Sequence, residues 1–301
     1  MVGLCEDRVC IVTGAGRGIG REHSLMLAAQ GAKVVVNDLG GSMDGVGAEA
    51  GPAQQVVDEI VALGGQAVAN TDDISDWAGA EKLVAQAVDA FGRLDVLVNN
   101  AGILRDRMLT NMSEAEWDAV IKVHLKGTAG PSHFAAAYWR EQSKAGEAVD
   151  ARIINTSSPS GIYGNVGQTN YGAAKAGIAA FTIIASMELA RYGVTVNAIA
   201  PAALTRMTEN LGMGQVSDEA KEQMSPRWIA PIITWLASTE SAAVTGRVFD
   251  VSGQALSVSE GWHRGPTVTP TLDPTLMGPL VEQLMAEARP NADMSGRDKK
   301  N

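Results

Sequence analysis

Arg8-Val9-Cys10-Ile11-Val12-Thr13-Gly14-Ala15-Gly16-Arg17-Gly18-Ile19-Gly20 reads as a buried strand that turns sharply into a helix. The run Val9–Val12 is continuously apolar, as a parallel strand covered on both faces requires. The glycines let the chain turn tightly and bring backbone N–H groups, at the positive end of the following helix, against a pyrophosphate. The spacing Gly14-x3-Gly18-x-Gly20 departs from the common G-x-G-x-x-G form. Glycines alone fit an ordinary turn; their place between a first strand and a first helix points to dinucleotide binding, with Arg17 and Ile19 inside the loop.

Outward from that stretch, short β-rich runs alternate with helical ones. Strands are expected at 8–12, 33–37, 66–70, 96–99, 152–156, 195–199 and 247–251, and helices at 19–30, 54–63, 79–91, 114–123 and 173–191. That order implies an α/β fold: a single Rossmann-type, doubly wound parallel sheet of about seven strands with helices on both faces. Residues 40–52 and 142–150 read as loops. Residues 1–260 are expected to form one domain for dinucleotide binding and catalysis, and 261–301 a C-terminal extension whose polar end, 289–301, suits a disordered tail.

The bulk properties narrow the function. In 301 residues, 46% are hydrophobic and 19% charged, the balance of a globular chain. A net charge of −10 argues against nucleic-acid and anionic-membrane partners, which reward a positive surface. Cys5 and Cys10, if the chain between them is extended, stand about 16 Å apart, too far for a disulfide. His23, His124, His133 and His263 are scattered, so no metal is expected. The apolar stretch at 228–237 is too short to span a bilayer, and no secretory signal is visible, so a cytoplasmic location is expected.

Asp38 ends the second strand, twenty residues after Gly18, where a carboxylate can bind adenosine ribose hydroxyls. A turn or cap aspartate is the plainer alternative. A 2′-phosphate about 4 Å away would be repelled by roughly 4 kcal/mol before screening. Arg17 pulls the other way, because a guanidinium can pair with that phosphate. Asp38 should touch the ribose directly, so NAD is expected ahead of NADP.

Further on come Asn99-Asn100-Ala101-Gly102, Ser158, Tyr171 and Lys175. Tyr171 and Lys175 share one helix face at i and i+4. A free phenol titrates near pH 10; an adjacent ammonium and a positive nicotinamide would favour its anion. A fall of about three units needs roughly 4 kcal/mol. Ser158 can then hold a substrate oxygen while Tyr171 exchanges its proton. A tyrosine and lysine at this spacing also occur on exposed helices; the ordered set with the glycine loop is what distinguishes them.

These motifs resemble the short-chain dehydrogenase/reductase family over about residues 5–255, with a serine thirteen residues before the tyrosine as in that family. The resemblance implies adenine contacts from Asp73 and Ile74, and cofactor contacts from Asn100, Ala101, Gly102, Tyr171 and Lys175. Pro201-Ala202-Ala203-Leu204-Thr205 is similar to the family's PGxxxT segment, with Ala202 in place of its glycine; it implies further contacts from Pro201, Leu204 and Thr205. His124 stands where the family carries a catalytic asparagine, and can be a bend-preserving side chain, a relay or a core histidine. Family helices matching the stretches around 114–139 and 173–191 build a dimer, so a homodimer or homotetramer is implied.

Residues 37–41, 99–107 and 160–165 are similar to a subset of that family, the (3R)-hydroxyacyl-CoA dehydrogenase domains of peroxisomal multifunctional enzymes. That implies NAD-linked oxidation of 3-hydroxyacyl-CoA or a hydroxysteroid-like alcohol. The ending Asp298-Lys299-Lys300-Asn301 is no peroxisomal address, so a stand-alone version is expected. Arg105, Arg107 and Arg206 are candidates for CoA phosphates, with solvated surface charge the commoner role for each. Met207, Leu211, Met213, Trp228 and Trp262 suit an apolar pocket. Two other readings stay open: an NADPH-dependent 3-oxoacyl reductase, and a non-catalytic dinucleotide-sensing protein on the same fold. The retained tyrosine and lysine speak against the second.

Overall fold

The apolar runs become strands β1 (Val9–Thr13), β2 (Lys33–Asn37), β3 (Gln66–Asn70), β4 (Val96–Asn99), β5 (Ala151–Thr156), β6 (Val194–Pro201), β7 (Val248–Val251) and β8 (Leu256–Ser259). The computed structural model describes residues 3–41, 51–204 and 217–298. The sheet order is β3-β2-β1-β4-β5-β6-β7-β8. Neighbours from β3 to β7 pair in parallel, and β8 pairs antiparallel to β7. Winding reverses between β1 and β4, which opens a crevice at the carboxyl ends of those strands.

Ten helices are described: α1 (Gly18–Ala29), α2 (Gly51–Ala62), α3 (Trp77–Phe91), α4 (Glu114–Ile121), α5 (Gly127–Lys144), α6 (Pro159–Ile162), α7 (Thr169–Leu189), α8 (Asp218–Gln223), α9 (Ala230–Ala237) and α10 (Met277–Glu287). Alternate strand residues feed two separate cores. Cys10, Val12, Val34, Val36, Val96 and Val98 pack with Leu27 of α1, Val56 and Ile60 of α2 and Ile233 of α9. Val9, Ile11, Val35 and Leu97 pack with Leu83 of α3, Trp139 of α5 and Ala185 of α7. Each fully buried aliphatic side chain contributes about 1.5–3 kcal/mol, which is why this two-sided pattern specifies the layers so firmly.

The structure departs from the sequence expectation in a few places. Strand β8 is not among the expected strands: Leu256-Ser257-Val258-Ser259 is short, exposed and polar at alternate positions. The helical stretch around 114–139 is divided by the turn at Lys122–Lys126, and its second part, α5, runs to Lys144 through Gly127, Gly130 and Pro131, residues of low helix propensity. Packing overrides that signal, since a Cβ on Gly130 would sit 3.2 Å from Ala80 of α3. Helix α7 starts four residues before the expected position 173, which brings Tyr171 into its first turn. Cys5 and Cys10 are free and buried. Beyond β8, no residue of α10 is buried, and residues 289–298 carry an antiparallel bridge between Ala292 and Asp298. Thr205, Arg206, Met207, Leu211 and Met213 lie outside the described residues, as do most of the expected 40–52 loop and residues 299–301.

His23, on the buried face of α1, has neither ring nitrogen bonded, and burial pushes its pKa down to about 3. The unfolded chain therefore binds a proton below about pH 6.5 that the folded chain refuses until about pH 3. Stability is full above the unfolded value and falls as pH drops, by up to about 1.4 kcal/mol per pH unit for this one group. His23→Leu should flatten the decline in urea midpoint between pH 6.5 and 5; an unchanged slope would refute that assignment.

Candidate active site

The loop between β1 and α1 is held by the β4 end. Asn100 donates its side-chain amide to the carbonyls of Thr13 (3.0 Å) and Gly14 (3.1 Å). Thr13 Oγ1 accepts from the backbone N–H groups of Asn100 (3.0 Å) and Ala101 (3.1 Å). Gly14 sits at φ +62°, and a Cβ there would lie 2.6 Å from Ala101 Cα, so the two loops touch backbone to backbone. Helix α1 starts without a side-chain cap and without an acidic residue in its first turn. Its first N–H groups and its positive end are therefore left for an anion, as a pyrophosphate site needs.

Asp38 closes the far side of that loop. Its Oδ2 accepts from Gly16 N (2.8 Å) and its Oδ1 from Gly40 N (2.7 Å). The carboxylate thus shapes the glycine loop as well as facing the crevice, and each oxygen retains a lone pair for a ribose hydroxyl. Asp73 caps the turn at Ser75, accepting from its N–H (2.9 Å) and its hydroxyl (2.5 Å), while Ile74 is buried beneath Gly127.

The other end of the crevice is built where β5 ends. Ser158 caps α6 in extended backbone, and its Oγ accepts from Ser160 N (3.2 Å). Lys175, on α7, donates from Nζ to Thr156 O (2.6 Å) and stands 5.6 Å from the centroid of the Tyr171 ring. Burial pushes the Lys175 pKa down to about 7. Burial also pushes the Tyr171 phenol up; a hydrogen bond with Ser158 opposes this, and the Asp106 carboxylate adds to it. From spacing alone, Lys175 is expected to pull that phenol down. In the protein by itself the shift is upward instead, because removing water penalises the phenolate.

His124 lies in a π-type turn, Lys122–Lys126, between α4 and α5. Its Nε2 is 2.8 Å from Ile103 O, its ring meets Tyr171 edge-on at 5.1 Å, and Nδ1 is buried without a partner. Burial, with Lys175 nearby, holds its pKa down at about 3, so the ring is neutral. π-turns of this kind are frequent at functional sites, and here one aims a side chain at the Asn100–Ile103 loop.

One cleft of about 1050 Å³ joins these parts. Gly14, Arg17, Gly18, Ile19, Gly20 and Asp38 line it at one end, with Asp73, Ile74, Asn100, Ala101 and Gly102 beside them. Ser158, Tyr171, Lys175 and Pro201 line the other end. Leu204 is not among the lining residues; its N–H bonds Met224 O at 2.6 Å, and Thr205 lies outside the described residues. Arg105 reaches the cleft, whereas Arg107 is exposed and pairs with Glu116 at 2.9 Å. Ser160 and Asn165, the ends of the 160–165 stretch, also line it, as do Gln168, Met224 and Met294, which no motif or periodicity marks because only the folded chain brings them there. Among the described residues no group of three or more His, Cys, Asp or Glu side chains could hold a metal.

The short chain dehydrogenase family model matches residues 8–215. The hydroxyacyl-CoA dehydrogenase ChsB1 of Mycobacterium tuberculosis is 44% identical over 305 aligned residues, 97% of this chain and 93% of that protein. Peroxisomal multifunctional enzyme type 2 of Drosophila melanogaster is 43% identical over 89% of this chain, which spans 43% of that longer protein. A short chain dehydrogenase from Mycobacterium avium superimposes with a TM-score of 0.87 at 52% identity, covering 96% of this chain and 98% of that one. On this agreement of fold, cleft and relatives, the chain belongs to the short-chain dehydrogenase family and is an oxidoreductase acting on CH–OH groups.

Proposed function

We propose that this enzyme interconverts a 3-hydroxyacyl thioester, or a hydroxysteroid-like alcohol, with its ketone, using NAD and Tyr171 as the acid/base. The observation that carries the reading is the meeting of Ser158, Tyr171 and Lys175 in the same cleft as the uncapped α1 end and Asp38. The similarity to the hydroxyacyl-CoA dehydrogenase ChsB1 supports the thioester substrate.

The residues fit the cofactor. The α1 N–H groups would hold its pyrophosphate, Asp38 its adenosine ribose, and Lys175 its nicotinamide ribose. When bound, NAD supplies the hydride acceptor for oxidation. The protein does the rest. Ser158 donates its hydroxyl to the substrate oxygen and fixes it beside Tyr171. The Tyr171 phenolate takes the hydroxyl proton as the C–H bond is broken, and returns it when the reaction runs toward the alcohol. Lys175 is held by Thr156 O, so its charge sits under the tyrosine face and stabilises the anion. A base is needed for oxidation, so kcat/KM for the alcohol should rise toward alkaline pH and that for the ketone should fall.

The subunits are read as a homo-oligomer. Ile183, Ile184 and Met187 on α7 are 40%, 52% and 69% exposed, an apolar face that the sheet does not cover. Ile184→Glu should lower the mass measured by sedimentation toward the 31.4 kDa monomer; an unchanged assembly would remove α7 from the interface.

With (3R)-3-hydroxyacyl-CoA and NAD, Tyr171→Phe should lower kcat by about 10²–10⁴-fold while NADH still binds, as read from its fluorescence. Wild-type turnover in that variant would end the mechanism. Asp38→Ala should weaken NAD about tenfold, a loss of roughly 1.4 kcal/mol, and narrow the preference against NADP. Wild-type protein that binds NADPH tightly and NADH weakly would favour the 3-oxoacyl reductase reading instead.

A further inference from the structure

Close to the proposed catalytic residues, the segment 105–107 is sewn to the loop carrying Ser158. Asn170, fully buried, donates to Arg105 O (3.0 Å) and Glu116 O (3.2 Å), and Arg107 N donates to Gly167 O (2.8 Å). Between these two stitches, Gln168 Nε2 donates to Asp106 Oδ2 at 2.8 Å. A carboxylate only accepts, so this bond fixes which way the Gln168 amide faces. Its Oε1 is then turned to accept from Ser160 Oγ (2.7 Å) and Asn165 Nδ2 (3.0 Å). Ser160 in turn donates its backbone N–H to Ser158 Oγ. Ser160 and Gln168 are both buried, so water does not compete for these bonds.

We propose that Asp106 and Gln168 are positioning residues that, through Ser160, orient the Ser158 hydroxyl toward the reacting oxygen. The inference rests on the reaction assigned above. With one lone pair of Ser158 Oγ occupied by Ser160 N, its proton is left to donate into the cleft, where Tyr171 stands. The carboxylate sets the direction of the whole chain: replaced by a group that can also donate, it would let the Gln168 amide flip and release Ser160. A second observation agrees. Asp106 Oδ1 is buried without a hydrogen-bond partner, a costly arrangement for a residue with only a packing role.

The charge also reaches the tyrosine. Tyr171 faces Lys175 on its own helix, His124 from the π-type turn and Asp106 from the 105–107 segment, and Asp106 works against its ionisation. Asp106→Asn should therefore do two things: lower kcat about tenfold with KM within twofold, and move the alkaline rise of the oxidation profile to lower pH. Gln168→Glu alone sets two carboxylates together and should also lose about tenfold. The exchange Asp106→Asn with Gln168→Glu reverses the 106–168 bond and gives every group in the chain a partner again. The amide introduced at position 106 then donates to the carboxylate at position 168, which still accepts from Ser160 and Asn165.

The experiment measures kcat, KM, pH profiles and thermal midpoints for both single variants and the exchange, with wild type and Tyr171→Phe alongside. Recovery of kcat to within threefold of wild type by the exchange supports the proposal. Single variants within twofold of wild type overturn it, and so does an exchange no better than Gln168→Glu alone. If a single variant melts early, the exchange is compared with wild type directly, and a stable but slow exchange overturns the proposal. Absence of NAD-linked turnover in wild type refutes the function instead, since the Tyr171→Phe control separates the two.

Discussion

The side-chain amide of Asn100 is the tie on which the working end of this fold depends. It lies where the strand order reverses, and joins the β4 end to the carbonyls of Thr13 and Gly14. A doubly wound sheet produces a crevice at that point for topological reasons alone. It does not say how wide the crevice is or how the two loops are spaced. Asn100 fixes both, and the contact between Gly14 and Ala101 leaves no room for slack. The adjacent Asn99 continues inward, donating to Asn155 Oδ1 (2.9 Å) and Ser132 Oγ (3.0 Å), so the same short segment braces the sheet beneath.

From that tie the chemistry is distributed by secondary structure. Helix α1 presents an uncapped positive end on one side, and α7 presents Tyr171 and Lys175 on the other. His124 links the two sides: its Nε2 meets Ile103, at the end of the Asn100 loop, and its ring edge meets Tyr171. The π-type turn is what lets a helix aim a side chain there without breaking. A neutral imidazole suits the place. A charged one would be buried without water and would repel Lys175.

The fold was legible because both sheet faces are buried, so continuous apolar runs and their spacing name the strands with little ambiguity. The glycine loop, Asp38 and Asn100 were legible as candidates because each sits at an element end, and Ser158, Tyr171 and Lys175 through their spacing from one another; one cleft gathers them all. What stayed hidden followed other rules. Strand β8 is an exposed edge strand of four residues, and the π-type turn that divides α4 from α5 leaves no periodic mark. The Asp106–Gln168–Ser160 chain joins residues 62 and 8 positions apart, so no window along the sequence contains it.

The electrostatics of the tyrosine and lysine are also beyond the reach of sequence. Spacing shows that two groups are near each other, but not how much water surrounds them. Here burial lowers the Lys175 pKa and raises that of Tyr171, so each drifts toward its neutral form. Neutral phenol and amine avoid the desolvation that their ions suffer. A site poised that way responds strongly to one further charge. The oxidised nicotinamide carries a positive charge and the reduced form does not. On the mechanism proposed above, the phenolate is therefore favoured when an alcohol is to be oxidised, and the phenol when a ketone is to be reduced. On that mechanism, the tyrosine–lysine pair would serve both directions with no second acid or base.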